Sequence, residues 1–186
     1  IIISFIIIII IFLSFFGYKI NKDTKKEQIS EDYNKAIIYH SNGDLAEARD
    51  LLSMLVREKD PTYSPLALYF IIDNDLKKNQ EVNNLFDILI NKTSLEDEIK
   101  NLIIYKKALY NADTVNENDL LKILNPLINS KSVWKSHGLY LVAEYYFAKN
   151  EKEKSKEFFN KILLTENANQ EILKETQKRL NRDLSE

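Results

Sequence analysis

The opening sixteen residues, IIISFIIIIIIFLSFF, carry no charge and only two hydroxyls, Ser4 and Ser14. A helix made of them is apolar on every side, whereas a helix on the surface of a water-soluble core has one wet face. Crossing a hydrocarbon core of about 30 Å takes about 20 apolar residues. The run is slightly shorter and does not begin with Met, so the span is expected to continue upstream of Ile1. A signal peptide would need small residues before its cleavage point. Here Ser14-Phe15-Phe16-Gly17-Tyr18 puts a phenylalanine at that place. Residues 1–18 are therefore predicted as an uncleaved transmembrane anchor, with Tyr18, Lys19 and Lys22 at its interfacial end.

Beyond Tyr18 the composition reverses. All 26 Lys and Arg and all 28 Asp and Glu follow the apolar run, for a net charge of −2, and they are interspersed rather than blocked. A nucleic-acid binder carries a basic stripe and a high pI, so nucleic acid is not an expected partner. The chain has no Cys, which excludes disulfides, thiolate nucleophiles and sulfur-ligated zinc. Its three glycines, Gly17, Gly43 and Gly138, are too scattered to form a phosphate-cradling loop. Lys19, Lys22, Lys25 and Lys26 follow the span, and positive flanking charge favours the cytoplasmic side.

Residues 19–29 read as a polar linker, and 30–186 as a helical-repeat domain. From Glu31 onward apolar residues recur at three- and four-residue spacing, broken about every 15 residues by short polar turns. Helices are predicted near 30–41, 44–58, 63–77, 81–91, 95–111, 117–129, 134–148, 151–165 and 169–182. Turns fall at Asn42-Gly43, Asp60-Pro61, Lys78-Asn79, Asn91 to Ser94 and Asn150. An offset of 107 residues takes Ala36 to Ala143, Tyr39 to Tyr146, Gly43 to Asn150, Ala48 to Ser155, Leu51 to Phe158, Leu52 to Phe159 and Leu55 to Ile162. This is close to three steps of the 34-residue helix-pair period. Small residues at 36 and 48, and again at 143 and 155, let paired helices approach closely. Gly43 and Asn150 are types that tolerate a left-handed turn. The middle pairs look degenerate: small residues hold no sure position in the second, and Pro126 should shorten or kink the second helix of the third. Residues 169–182, with Ile172, Leu173, Thr176 and Leu180 on one stripe, read as a terminal cap.

The segment Asn42-Gly43-Asp44-Leu45-Ala46-Glu47-Ala48 resembles the turn and second helix of the tetratricopeptide repeat. The expected fold is thus all-α: an N-terminal transmembrane helix, then a tetratricopeptide-like α-solenoid of about four helix pairs with a C-terminal capping helix. The layout also resembles a narrower family, the ancillary subunits of the Sec translocon. The resemblance runs over Thr62-Tyr63 opening the second pair, Trp134 opening the fourth, and Leu141 to Glu144 followed by Lys149-Asn150. It implies a single-pass protein of the bacterial inner membrane with a periplasmic domain. Its implied partners are translocon subunits, periplasmic chaperones or exported chains, and its implied work is to assist export or folding. The four lysines after the span sit awkwardly with that topology. An anchored adaptor for another membrane complex, facing the cytoplasm, is the alternative.

No constellation points to catalysis, a cofactor, a metal or a small-molecule substrate, and the chain is not expected to be an enzyme. His40 and His137 stand on first helices with nothing beside them to complete a three- or four-ligand metal site. The run Glu151 to Glu157 reads as the solvated start of a helix, and Glu96, Asp97 and Glu98 as acids at a helix N-terminus. The candidate protein-binding residues are two trios, Tyr33, Ile37 and His40 on the first pair, and Tyr140, Glu144 and Phe147 on the fourth. Each lies on one helix face, offset from the packing face of the alanines. Either the trios line a concave groove, where aromatics anchor ligands, or they complete the inner core of a short array.

Overall fold

The computed structural model describes the backbone of residues 2–184 and the side chains of residues 12–15 and 17–184. The described residues form nine α-helices and no strand: α1 (Ile2–Asn42), α2 (Leu45–Arg57), α3 (Tyr63–Asp73), α4 (Asn79–Lys92), α5 (Asp97–Asn111), α6 (Glu117–Ile128), α7 (Lys135–Ala148), α8 (Lys152–Leu163) and α9 (Gln170–Arg182). They divide into two compact units, Ile1–Ser94 and Leu95–Glu186, separated at the polar turn between α4 and α5. Each unit holds two helix pairs, and the second ends in α9.

In the first unit α2 packs on both α1 and α3, and α4 closes over α2 and α3. The core is formed by Ala36 from α1, Ala48, Leu52, Leu55 and Val56 from α2, Ala67, Leu68 and Ile71 from α3, and Val82, Leu85, Phe86 and Leu89 from α4. Each set repeats at three- and four-residue spacing, which puts it on one helix face. In the second unit α5 packs on α6, α6 on α7, and α7 on α8, with α9 lying against both members of the last pair. Its core draws on Ile103 and Ala108, Leu120, Leu124 and Leu127, Val142, Ala143 and Tyr146, and Phe159 and Ile162.

The 107-residue correspondence survives in three dimensions. Ala36 and Ala143 are fully buried, as are Ala48 and Ser155, Leu52 and Phe159, and Leu55 and Ile162. The turns match in detail. Gly43 and Asn150 have φ of +87° and +61°. The next amide donates five residues back, Asp44 to the Tyr39 carbonyl and Glu151 to the Tyr146 carbonyl, both at 2.9 Å. This left-handed exit satisfies the last carbonyls of the first helix.

The second pair is less degenerate than its sequence implies. Asp75, with φ of +52°, makes the same turn, and the Leu76 amide donates to the Ile71 carbonyl at 2.9 Å. The helix expected over 63–77 therefore stops at Asp73. The second pair has its small residue in Ala67 on α3, and the third has Ala108 on α5; both are fully buried. Pro126 falls in the last turn of α6, which ends two residues later at Ile128.

The expected linker, residues 19–29, is instead an uninterrupted part of α1. Between Gly17 and Gly43 there is no Gly or Pro, and Lys, Glu and Gln are good helix formers. Among the described residues no helix is long and apolar enough to cross a membrane. The anchor expected over 1–18 falls largely outside the described residues, because the side chains of 1–11 and 16 are not among them.

Candidate functional site

The two trios are repeat equivalents, since the offset of 107 carries Tyr33, Ile37 and His40 onto Tyr140, Glu144 and Phe147. The structure places both in the same kind of location, the seam between one first helix and the helix that follows it in the stack. In the first unit the Tyr33 ring lies 5.7 Å from that of Tyr63 on α3, and the His40 ring meets Phe70 edge-on at 5.0 Å. The Tyr63 hydroxyl donates to Ser30 Oγ at 2.7 Å, closing the same seam. Ile37 lies between Tyr33 and His40 on α1 and is half-buried.

In the second unit α9 occupies the seam. Arg179 reaches across to Glu144 with both arms of its guanidinium, Nε donating to Oε1 at 2.8 Å and a terminal nitrogen to Oε2. Its third contact is Asp183 at 2.8 Å, and its charged carbon stands 4.7 Å over the Phe147 ring. Tyr140 packs edge-on against Phe159 at 5.5 Å. Burial raises the Tyr140 phenol above its ordinary pKa, and the Glu144 carboxylate adds to that. Five of the six, all but Ile37, thus have side-chain contacts inside their own unit, and all six are half-buried.

A further aromatic group on α5 and α7 was not singled out as a set by sequence. Tyr105 stacks on Trp134 at 6.2 Å, and His137 sits 5.0 Å from Trp134 and 5.7 Å from Tyr105. All three are half-buried. Burial lowers the His137 pKa below its usual value, an effect the Val133 backbone partly offsets. The signal available in the sequence was the spacing of three between Trp134 and His137; that α5 would bring Tyr105 to them was not. His40 and His137 lie in different units, and the described residues contain no cluster of three or more residues able to hold a metal ion.

Three charges of the run at the start of α8, Glu151, Lys154 and Glu157, are paired within the fold. Lys154 meets Glu151 at 2.7 Å and Glu117 of α6 at 3.0 Å, and Lys161 meets Glu157 at 2.6 Å. Glu117 also accepts from the Tyr146 hydroxyl at 2.7 Å. That bond, with Lys154, holds the Glu117 carboxyl below its ordinary range, while burial first and then the Glu117 carboxylate drive the Tyr146 phenol well above its own. Of the helix-opening acids, Glu98 accepts from the Ser132 hydroxyl at 2.7 Å.

One broad hollow lies on the second unit away from these seams. Its volume is about 770 Å³, bounded by the end of α6, the loop to α7, the first turns of α7, the last turns of α8 and the loop before α9. A hollow of that size is in the range of sites that bind ligands or peptide segments. Compared with protein families, curated proteins and solved structures, the chain matches none.

Proposed function

We propose that this chain is a membrane-anchored, non-enzymatic scaffold whose helix-pair units bind other proteins. The observation that carries the reading is the lower half of α1. Phe12, Leu13, Phe15 and Tyr18 are exposed by 67, 67, 64 and 68%, and they point to all sides of a helix that continues unbroken into the first unit. Water is a poor environment for four such side chains at once, at about 25 cal/mol for each Å² of apolar surface left wet. A bilayer covers every side of a helix equally. The helices α2 to α9 bury their apolar faces within packed units and leave mixed surfaces outside, the architecture of proteins that present faces to partners.

The resemblance to ancillary Sec-translocon subunits gives the reading its particular form: a single-pass protein of a bacterial inner membrane, with both units in the periplasm, working with translocon subunits, chaperones or exported chains. The second reading, an adaptor facing the cytoplasm, is favoured by Lys19, Lys22, Lys25 and Lys26 just beyond the apolar run.

Three measurements test this. Alkaline carbonate should leave the full chain in the membrane pellet, and release into the supernatant would end the anchor. Because the chain has no Cys, a single Lys152→Cys variant reports topology. Labelling of intact inner-membrane spheroplasts by an impermeant maleimide supports the periplasmic form, and labelling only after lysis supports the cytoplasmic one. Crosslinking from membranes should then recover secretion components; recovery of no protein partner would refute the scaffold.

A further inference from the structure

The hollow on the second unit departs from the charge balance of the chain. Its wall carries Lys131, Lys135 and Lys161 against one carboxylate, Glu166, in a protein whose net charge is −2. Among the described residues Lys131 and Lys135 make no ion pair, whereas Lys161 is held by Glu157 at 2.6 Å and lies 4.1 Å over the Phe158 ring. The floor is apolar, made of Ile128, Leu139 and Phe158, the first and last packed against the buried cluster of Leu139, Ala143, Phe159 and Ile162. Leu164 stands at the rim, 85% exposed, the most exposed large apolar side chain among the described residues. Lys131 comes from the loop before α7, Lys135 from its first turn and Lys161 from α8, and Lys161 is already paired with Glu157. Separated cations beside an apolar floor suit a ligand whose charges are spaced along a chain and whose apolar side chain lies between them.

We propose that this groove binds an acidic, extended segment of a partner protein, with one aliphatic or aromatic side chain set against Phe158 and Leu164 and its carboxylates facing Lys131 and Lys135. This deepens the scaffold reading and rests on it, by naming the surface and the chemistry of the partner. It moves binding away from the seams, where the two trios are already engaged.

The test uses the full chain in detergent micelles and a fluorescein-labelled peptide, Asp-Glu-Leu-Asp-Glu-Phe-Asp. A second peptide has the same apolar residues with every acid replaced by lysine. The acidic peptide should bind saturably and weaken with added salt, and the lysine peptide should not bind. A Lys131→Glu, Lys135→Glu variant, and separately Leu164→Asp, should each weaken binding by about tenfold or more. Their urea transitions, followed by Trp134 fluorescence, should stay where the wild type's is. A matched Lys152→Glu, Lys174→Glu variant, with both changes outside the groove, should bind like wild type. Equal binding of both peptides, equal weakening by the matched variant, or attachment only to vesicles of anionic phospholipid would each overturn the proposal. Protein crosslinks from membranes that persist unchanged in the groove variants would overturn the groove and leave the scaffold standing; a wild type without protein crosslinks would refute the scaffold itself.

Discussion

The crossing of α7 and α8 gives the sharpest stability test. Ala143 and Ser155 are both fully buried. The Ser155 hydroxyl donates to the Ala143 backbone carbonyl at 2.9 Å, so the second helix comes within one hydrogen bond of the first helix's main chain. No room remains for more than a methyl group. Ala143→Leu adds three carbons there, and forcing extra carbons into a close-packed crossing costs about 1–3 kcal/mol. The helices cannot separate to accept them without stretching the Ser155 bond, worth about 1 kcal/mol. The total expected is about 2–4 kcal/mol. Trp134 is the only tryptophan and lies in the same unit, so its fluorescence reports the transition directly. With a urea dependence of about 2 kcal/mol per molar, the midpoint should fall by roughly 1–2 M. Lys152→Gln, on the exposed start of α8, should move it by less than about 0.5 kcal/mol. Equal shifts for the two variants would refute the assignment of this crossing as the buried contact.

Arg179→Ala removes the guanidinium from Glu144, Asp183 and Phe147 together; because the pair is about a quarter exposed, the loss should be about 1 kcal/mol, read as faster amide exchange in α9 with α5 and α6 unchanged. Gly43→Ala should cost about 1 kcal/mol, through its φ of +87° rather than through crowding, since a methyl there meets no atom within 4 Å. Asn150→Gly, at the equivalent turn, should be neutral or stabilising in the same melt. Acid should weaken the second unit. The carboxyls of Asp183, beside Arg182 and Arg179, and of Glu117, beside the Tyr146 hydroxyl and Lys154, are both held below their ordinary range. Groups depressed in the folded state stabilise it fully above their unfolded pKa. That stability should drain away as pH falls below about 4, and a Glu117→Gln variant should show a shallower acid loss by circular dichroism.

Much of the fold is legible in the sequence, for identifiable reasons. Apolar period and turn residues fixed which segments are helical, and Gly43 and Asn150 located two turns because those residue types accept positive φ cheaply. Asp75 makes the same turn, but Asp is also common on exposed helix faces and does not by itself mark a stop, so α3 ends four residues short of the predicted 77. Ala67 and Ala108 stand among other apolar residues, where a small side chain gives no positional signal until the facing helix is known. The trios were recognised as one face of each helix. What periodicity could not tell was that a neighbouring first helix, or α9 in its stead, would lie over that face. The lysine-bordered hollow was invisible because its wall gathers residues from three helices and two loops more than 40 positions apart, from Asn125 to Asn167.

The unbroken run of α1 has a mechanical consequence. From Tyr18 to Ile29, the first buried side chain of the core, the chain climbs about 16 Å at about 1.5 Å per residue. A helix transmits rotation as well as height. Were the apolar end fixed in a bilayer, as proposed above, the first unit would be held at a set elevation and a set compass bearing above the lipid, like a vane on a rigid mast. One inserted residue between Lys22 and Gln28 would turn the unit by about 100° while lifting it only about 1.5 Å. Seven would lift it by about 10 Å and return it nearly to its first bearing. A membrane-embedded partner that tolerates the seven-residue insertion but not the single one would be reading the direction of the mast, not its length.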